Sequence, residues 1–152
     1  WKNVLPTHRG VDEVDTGQYE KEISTDFVSG CALFAHRTIF EETGYLNEDY
    51  FVYYEDIEFC MRAVKKGHTL LYAPGAVVWH KNAGSSGSGS ATHQYYMIRN
   101  QLLFGMKYVG IRAKIALVRQ SFAILHHGNK WEKWGVIDYF LGRLGKTERN
   151  LK

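Results

Sequence analysis

At 152 residues the chain has the length of about one domain, enough for a compact fold to bury roughly 70% of the surface its unfolded form exposes. Nineteen Lys and Arg against sixteen Asp and Glu leave a net charge of +3, too small to indicate a nucleic-acid partner by itself. No uninterrupted apolar run reaches the ~18 residues of a spanning helix, and no signal peptide is visible. The charge is unevenly spread. Residues 93–143 carry Arg99, Lys107, Arg112, Lys114, Arg119, Lys130, Lys133 and Arg143 against only Glu132 and Asp138, whereas residues 11–58 are acid-rich, so the two halves are expected to face different partners. Cys31 and Cys60 sit in apolar patterns without CxxC spacing, which points to buried reduced thiols and a reducing compartment.

In chain order, residues 1–25 hold Pro6, Gly10, Gly17 and many charges without sustained periodicity, a loop-rich entry. The chain starts at Trp1 rather than Met, and is expected to be a piece of something longer. Residues 26–36 are nearly all apolar or small and read as a buried strand, followed by a short helix from Arg37 to Thr43 that Gly44 stops. An aromatic and acidic loop spans Tyr45–Tyr54. From Glu55 the period becomes helical, with Ile57, Cys60, Met61 and Val64 on one stripe, acids in the first turn, Lys65 and Lys66 in the last, and Gly67 as the stop. Short strands are predicted at 70–73 and 76–79 around Pro74-Gly75. The Gly/Ser-rich stretch 83–92 reads as a mobile loop, and Ser85–Ser90 suits either a lid over a phosphate or an ordinary linker. Three amphipathic helices follow, over about 95–109, 111–125 and 131–143.

Several of these segments together resemble bacterial glycosyltransferase family 2, in particular the C-terminal half of its rhamnosyltransferase-like members. The matching elements are Asp26-Phe27-Val28-Ser29-Gly30, Arg37 to Gly44, Leu46 to Phe51, Tyr54-Glu55-Asp56-Ile57-Glu58-Phe59-Cys60-Met61-Arg62-Ala63, Pro74, Trp79-His80 and Arg99-Asn100. The family's N-terminal Rossmann-like half and its Asp-x-Asp motif have no counterpart, because Asp12 and Asp15 lack the required strand context. The resemblance therefore implies an α/β fold, specifically a partial GT-A fold with a small mixed sheet, covering helices and a C-terminal helical tail. Residues 1–92 would form the acceptor and catalytic-base part, and residues 93–152 the basic tail.

The same resemblance implies an inverting transfer from a nucleotide sugar to a saccharide or lipid-linked acceptor, in the cytoplasm or at the inner face of the membrane. It puts the general base on Asp56, with Glu55 orienting the acceptor or supporting the base. By spacing alone, Asp56 capping its helix is the simpler reading. His80 would be one ligand of a divalent metal, magnesium or manganese, in the full-length enzyme; a single side chain makes no complete site, so the isolated chain is expected to be metal-free and inactive. Ser29 and Gly30 would let substrate lie close to the strand, while Trp79, Tyr53 and Tyr54 either stack on sugar faces or fill the core. His36, His68, His93, His126 and His127 form no ligand spacing, which argues against a histidine-based metal hydrolase. The basic helices suit peripheral docking on an anionic membrane, and equally packing on a parent domain or in a homodimer. A helical interaction or membrane-docking module with a structural acidic motif is the competing class.

Overall fold

The structure is a computed structural model that describes residues 4–80 and 89–151. Its elements are β1 (Ile23–Ser24), α1 (Arg37–Thr43), α2 (Glu55–Lys65), β2 (Leu71–Tyr72), α3 (Ala91–Tyr108), α4 (Ile111–His127) and α5 (Lys130–Phe140), with a 3-10 turn at Gly30–Ala32. Helix therefore dominates the described residues. Their sheet is one antiparallel pair, with Ile23 opposite Tyr72 and Ser24 opposite Leu71. The chain divides into two compact units.

The first unit comprises the described residues of Trp1–Leu5, Asn47–Glu55 and Lys81–Lys152. Its core gathers Val4, Tyr50, Tyr54, Tyr95, Tyr96, Leu102, Phe104, Leu117 and Val136, all buried. Helix α3 begins on a Ser90 cap whose Oγ accepts from the His93 amide, and α5 on an Asn129–Glu132 capping box. The two helices pack closely because Gly135 has no side chain: a Cβ there would lie 2.7 Å from the Tyr95 carbonyl oxygen. Asp138 on α5 ties the unit together, accepting from the Tyr95 hydroxyl at 2.9 Å and from Arg149 at 2.6 and 2.7 Å.

The second unit comprises Pro6–Leu46 and Asp56–His80. Helix α1 is capped by His36 Nδ1 and ended by Gly44 at φ +82°, a left-handed geometry that glycine adopts without a Cβ penalty. It packs on α2 through stacked Phe40 and Phe59 rings with centroids 4.8 Å apart. Arg62 joins the two helices, bonded to buried Glu58 at 2.8 Å and reaching the carbonyls of Thr43, Gly44 and Tyr45 that end α1.

The structure corrects several sequence expectations. Residues 26–36 form no strand; none is buried, and Phe34 is 98% exposed. An apolar run becomes a strand only when neighbouring strands complete its ladder, and the described residues supply none. Likewise 76–79 is irregular, leaving the 70–73 expectation met by β2 alone, so the small mixed sheet is replaced by the β1–β2 pair. On α2, Val64 is exposed while Glu58, Phe59 and Ala63 are buried beside Ile57 and Cys60, because the α1 contact draws inward a flank the simple stripe leaves out. Both cysteines are free, but only Cys60 is buried, since Cys31 sits on the exposed turn. Helix α3 starts at Ala91, inside the expected loop, because Ser90 caps it. The remaining residues of the supposed lid, 85–88, lie outside the described residues.

Candidate functional site

The site is built on the first turn of α2 and the segment before 3-10 residues Gly30–Ala32. Ser29 caps that short turn, its Oγ accepting from the Cys31 amide at 3.4 Å. The Gly30 amide then donates to Asp56 Oδ2 at 2.8 Å, while Asp56 Oδ1 accepts from the Ile57 amide, also at 2.8 Å. A second tether lies one helical turn on, where the Val28 amide meets Cys60 Sγ at 3.3 Å. Burial raises the Cys60 thiol pKa, which keeps this sulfur protonated and inert.

Asp56 is half-buried, so one donor on each oxygen fixes its direction while lone pairs remain for a further proton or hydroxyl. One residue along the turn from Gly30, Cys31 Sγ lies 3.7 Å from His80 Nε2, and both residues are exposed. The 29–32 turn thus contacts Asp56 through Gly30 and His80 through Cys31. Trp79 is 95% exposed beside Val77 and Val78, presenting its ring to solvent.

Tyr54 and Glu55 belong to the other unit. The Tyr54 ring is buried, its hydroxyl donates to the Val4 carbonyl at 2.8 Å, and burial drives its pKa upward. In this conformation it serves the core and offers no face to a sugar. Glu55 is half-buried at the start of α2.

A metal centre does not fit the described residues. No group of three or more His, Cys, Asp or Glu among them is arranged to hold an ion, and the Cys31–His80 pair supplies two donors at most.

The residues whose role the sequence concealed are Arg99 and Asn100, which appear there only as matching letters. Both are fully buried on α3. Asn100 Nδ2 lies 2.9, 2.7 and 2.7 Å from the carbonyl oxygens of Tyr50, Val52 and Tyr53. Arg99 donates to the carbonyls of Asp49, Tyr50 and Gly145 at 2.8, 2.9 and 2.5 Å, with the Tyr96 ring beneath its guanidinium at 4.7 Å. The loop they grip contains three non-glycine residues in left-handed backbone, Phe51, Tyr53 and Tyr54, at φ +62°, +67° and +73°. Such geometry costs free energy in bulky residues and persists where surrounding bonds over-determine it. The available signal was a charged Arg beside two tyrosines on the inward face of an amphipathic helix.

Comparison with known proteins finds similarity to parts of two curated glycosyltransferases. Over 79 residues the chain is 32% identical to a low-salt glycan biosynthesis hexosyltransferase of Haloferax volcanii, covering 51% of this chain and 26% of that protein. Over 67 residues it is 37% identical to the N-acetylglucosaminyl-diphospho-decaprenol L-rhamnosyltransferase of Mycobacterium tuberculosis, covering 44% of this chain and 22% of that one. This chain is similar to part of a glycosyltransferase. The match spans about a quarter of the length of these curated relatives. No protein-family model and no solved structure matches the chain.

Proposed function

We propose that the chain carries the general base and acceptor shelf of an inverting, nucleotide-sugar-dependent glycosyltransferase, as the C-terminal part of a GT-A-type catalytic domain. The observation that carries this reading is Asp56, a half-buried carboxylate aimed by the Gly30 and Ile57 amides beside an exposed turn. The similarity to a hexosyltransferase and a rhamnosyltransferase supports it.

In this mechanism an acceptor hydroxyl lies against Ser29 and Gly30, and Asp56 removes its proton. The new bond joins the acceptor oxygen to the anomeric carbon while the bond to the nucleoside diphosphate breaks on the opposite face. Glu55, next in the chain, orients the acceptor, and Trp79 provides a stacking face for a sugar ring. The acceptor is a saccharide or a lipid-linked sugar, the class named in the mycobacterial relative. The cytoplasm, or the inner face of the membrane, is where such a reaction would draw on nucleotide sugars. A divalent cation, magnesium or manganese, belongs to this reading only with His80 as one ligand among carboxylates that the described residues do not supply, and no step here runs through it.

The test is release of nucleoside diphosphate by the natural gene product that contains this chain, measured over a panel of nucleotide sugars with saccharide and prenyl-diphosphate acceptors. Acceptor-dependent release is expected with at least one donor. Absence of release across the panel, from a protein shown to bind a nucleotide sugar, would overturn the reading.

A further inference from the structure

Helix α4 has two sides of opposite character. Leu117 and Ser121 are buried, whereas Ile111, Ile115 and Phe122 are 71, 53 and 68% exposed, with Leu125 at 39% and Val118 half-buried. At about 100° per residue these five apolar side chains fall in one stripe running the length of the helix. The stripe therefore lies off the core-facing side. Five large apolar residues on one open helix face are more than scattered exposure would give.

The charge on α4 singles out an occupant. Its cationic side chains are Arg112, Lys114 and Arg119, its last two residues are His126 and His127, and it contains no Asp or Glu. On the same helical projection Arg112 and Arg119, seven residues apart, flank the stripe on one side, and Lys114 flanks it on the other. A second copy would set two acid-free cationic helices against each other, a like-charge contact that disfavours self-association through this face. An anionic lipid surface satisfies both features at once, because the acyl boundary takes the apolar side chains and the headgroup phosphates meet the flanking cations. None of the described helices is long and apolar enough to cross a membrane, so the geometry that remains for α4 is one lying in the surface plane.

We infer that α4 is a membrane-docking helix, seated on anionic phospholipid through Ile111, Ile115, Val118, Phe122 and Leu125 with Arg112, Lys114 and Arg119 at the headgroups. This inference does not rest on the catalytic reading of Asp56. Flotation with vesicles of phosphatidylcholine alone and of phosphatidylcholine mixed with phosphatidylglycerol tests it on the chain itself. The chain is expected to float with the mixed vesicles only. Arg112→Ser and Arg119→Ser should each weaken that partition about fivefold, and added salt should weaken it further. The double variant Ile115→Glu, Phe122→Glu should lose flotation yet melt at the temperature of the unaltered chain, since both positions are exposed. Unchanged flotation of a folded double variant would overturn the inference. So would equal binding to phosphatidylcholine alone, or a dimer in solution that the double variant abolishes.

Discussion

The loop at 49–54 and the turn at 29–32 both bear on the start of α2, one by preceding it in the chain and one by bonding to Asp56, but they are held very differently. The loop is gripped from beneath by two fully buried side chains that reach the carbonyls of Asp49, Tyr50, Val52 and Tyr53. The turn lies at the surface, tied through the Gly30 amide to Asp56 and through Val28 to Cys60. The loop carries backbone strain and exposes Asp49 and Phe51, whereas the exposed turn bonds to the acid and meets the histidine.

Breaking the loop should therefore have the largest effect on stability. Arg99→Met removes the guanidinium's bonds to three carbonyls, of which those of Tyr50 and Asp49 keep a second donor in Asn100 and the Gly145 amide, and is expected to cost about 2–4 kcal/mol, read as a fall in the midpoint of urea unfolding. Asp138→Asn, within the same unit, should cost about 1.5–3 kcal/mol by weakening the bonds from Arg149 and Tyr95. Burial alone would raise the Asp138 pKa, but the bonds from Arg149 and Tyr95 outweigh it and hold the pKa below its ordinary value. A depressed folded pKa gives stability that is fully present above the unfolded value and lost as pH falls through the folded one. The melting difference between the two proteins should accordingly be constant near neutrality and shrink below about pH 4. A difference that grew on acidification would show that Asp138 is not held as its anion.

Gly135→Ala places a methyl group against the Tyr95 carbonyl and should cost about 1–3 kcal/mol, since backbone cannot yield as a side-chain tip can. Gly30→Ala sharpens the contrast from the other side. A Cβ at Gly30 would meet Asp56 Oδ2 at 3.5 Å, an ordinary contact, so stability should stay within about 0.5 kcal/mol. The same substitution should raise the acceptor KM if substrate approaches the turn as closely as proposed. An altered melting temperature with an unchanged KM would assign Gly30 to structure alone.

Helices α1 and α2, with Gly44 and Gly67 as their stops, could be read from periodicity and glycine because their signals are local. The strand expected over 26–36 failed because a strand depends on partners that no local pattern reveals. For the site, Asp56, Ser29, Gly30 and His80 were expected from the resemblance, and the turn contacts Asp56 through Gly30 and His80 through Cys31. Burial was not legible: Tyr54 turned out to be core, and the carbonyl-gripping roles of Arg99 and Asn100 depend on a loop almost fifty residues away in the chain.

The most direct test of the account is sugar transfer by Asp56→Asn in the natural gene product containing this chain, measured with donor binding in parallel. Asparagine can accept from only one of the Gly30 and Ile57 amides, since these bond different carboxylate oxygens, and it cannot take a proton, so turnover should fall at least a hundredfold with donor affinity unchanged, while the lost bond costs about 1–2 kcal/mol of stability. Turnover within a few-fold of the unaltered protein would contradict the assignment and leave Asp56 as a helix-start residue.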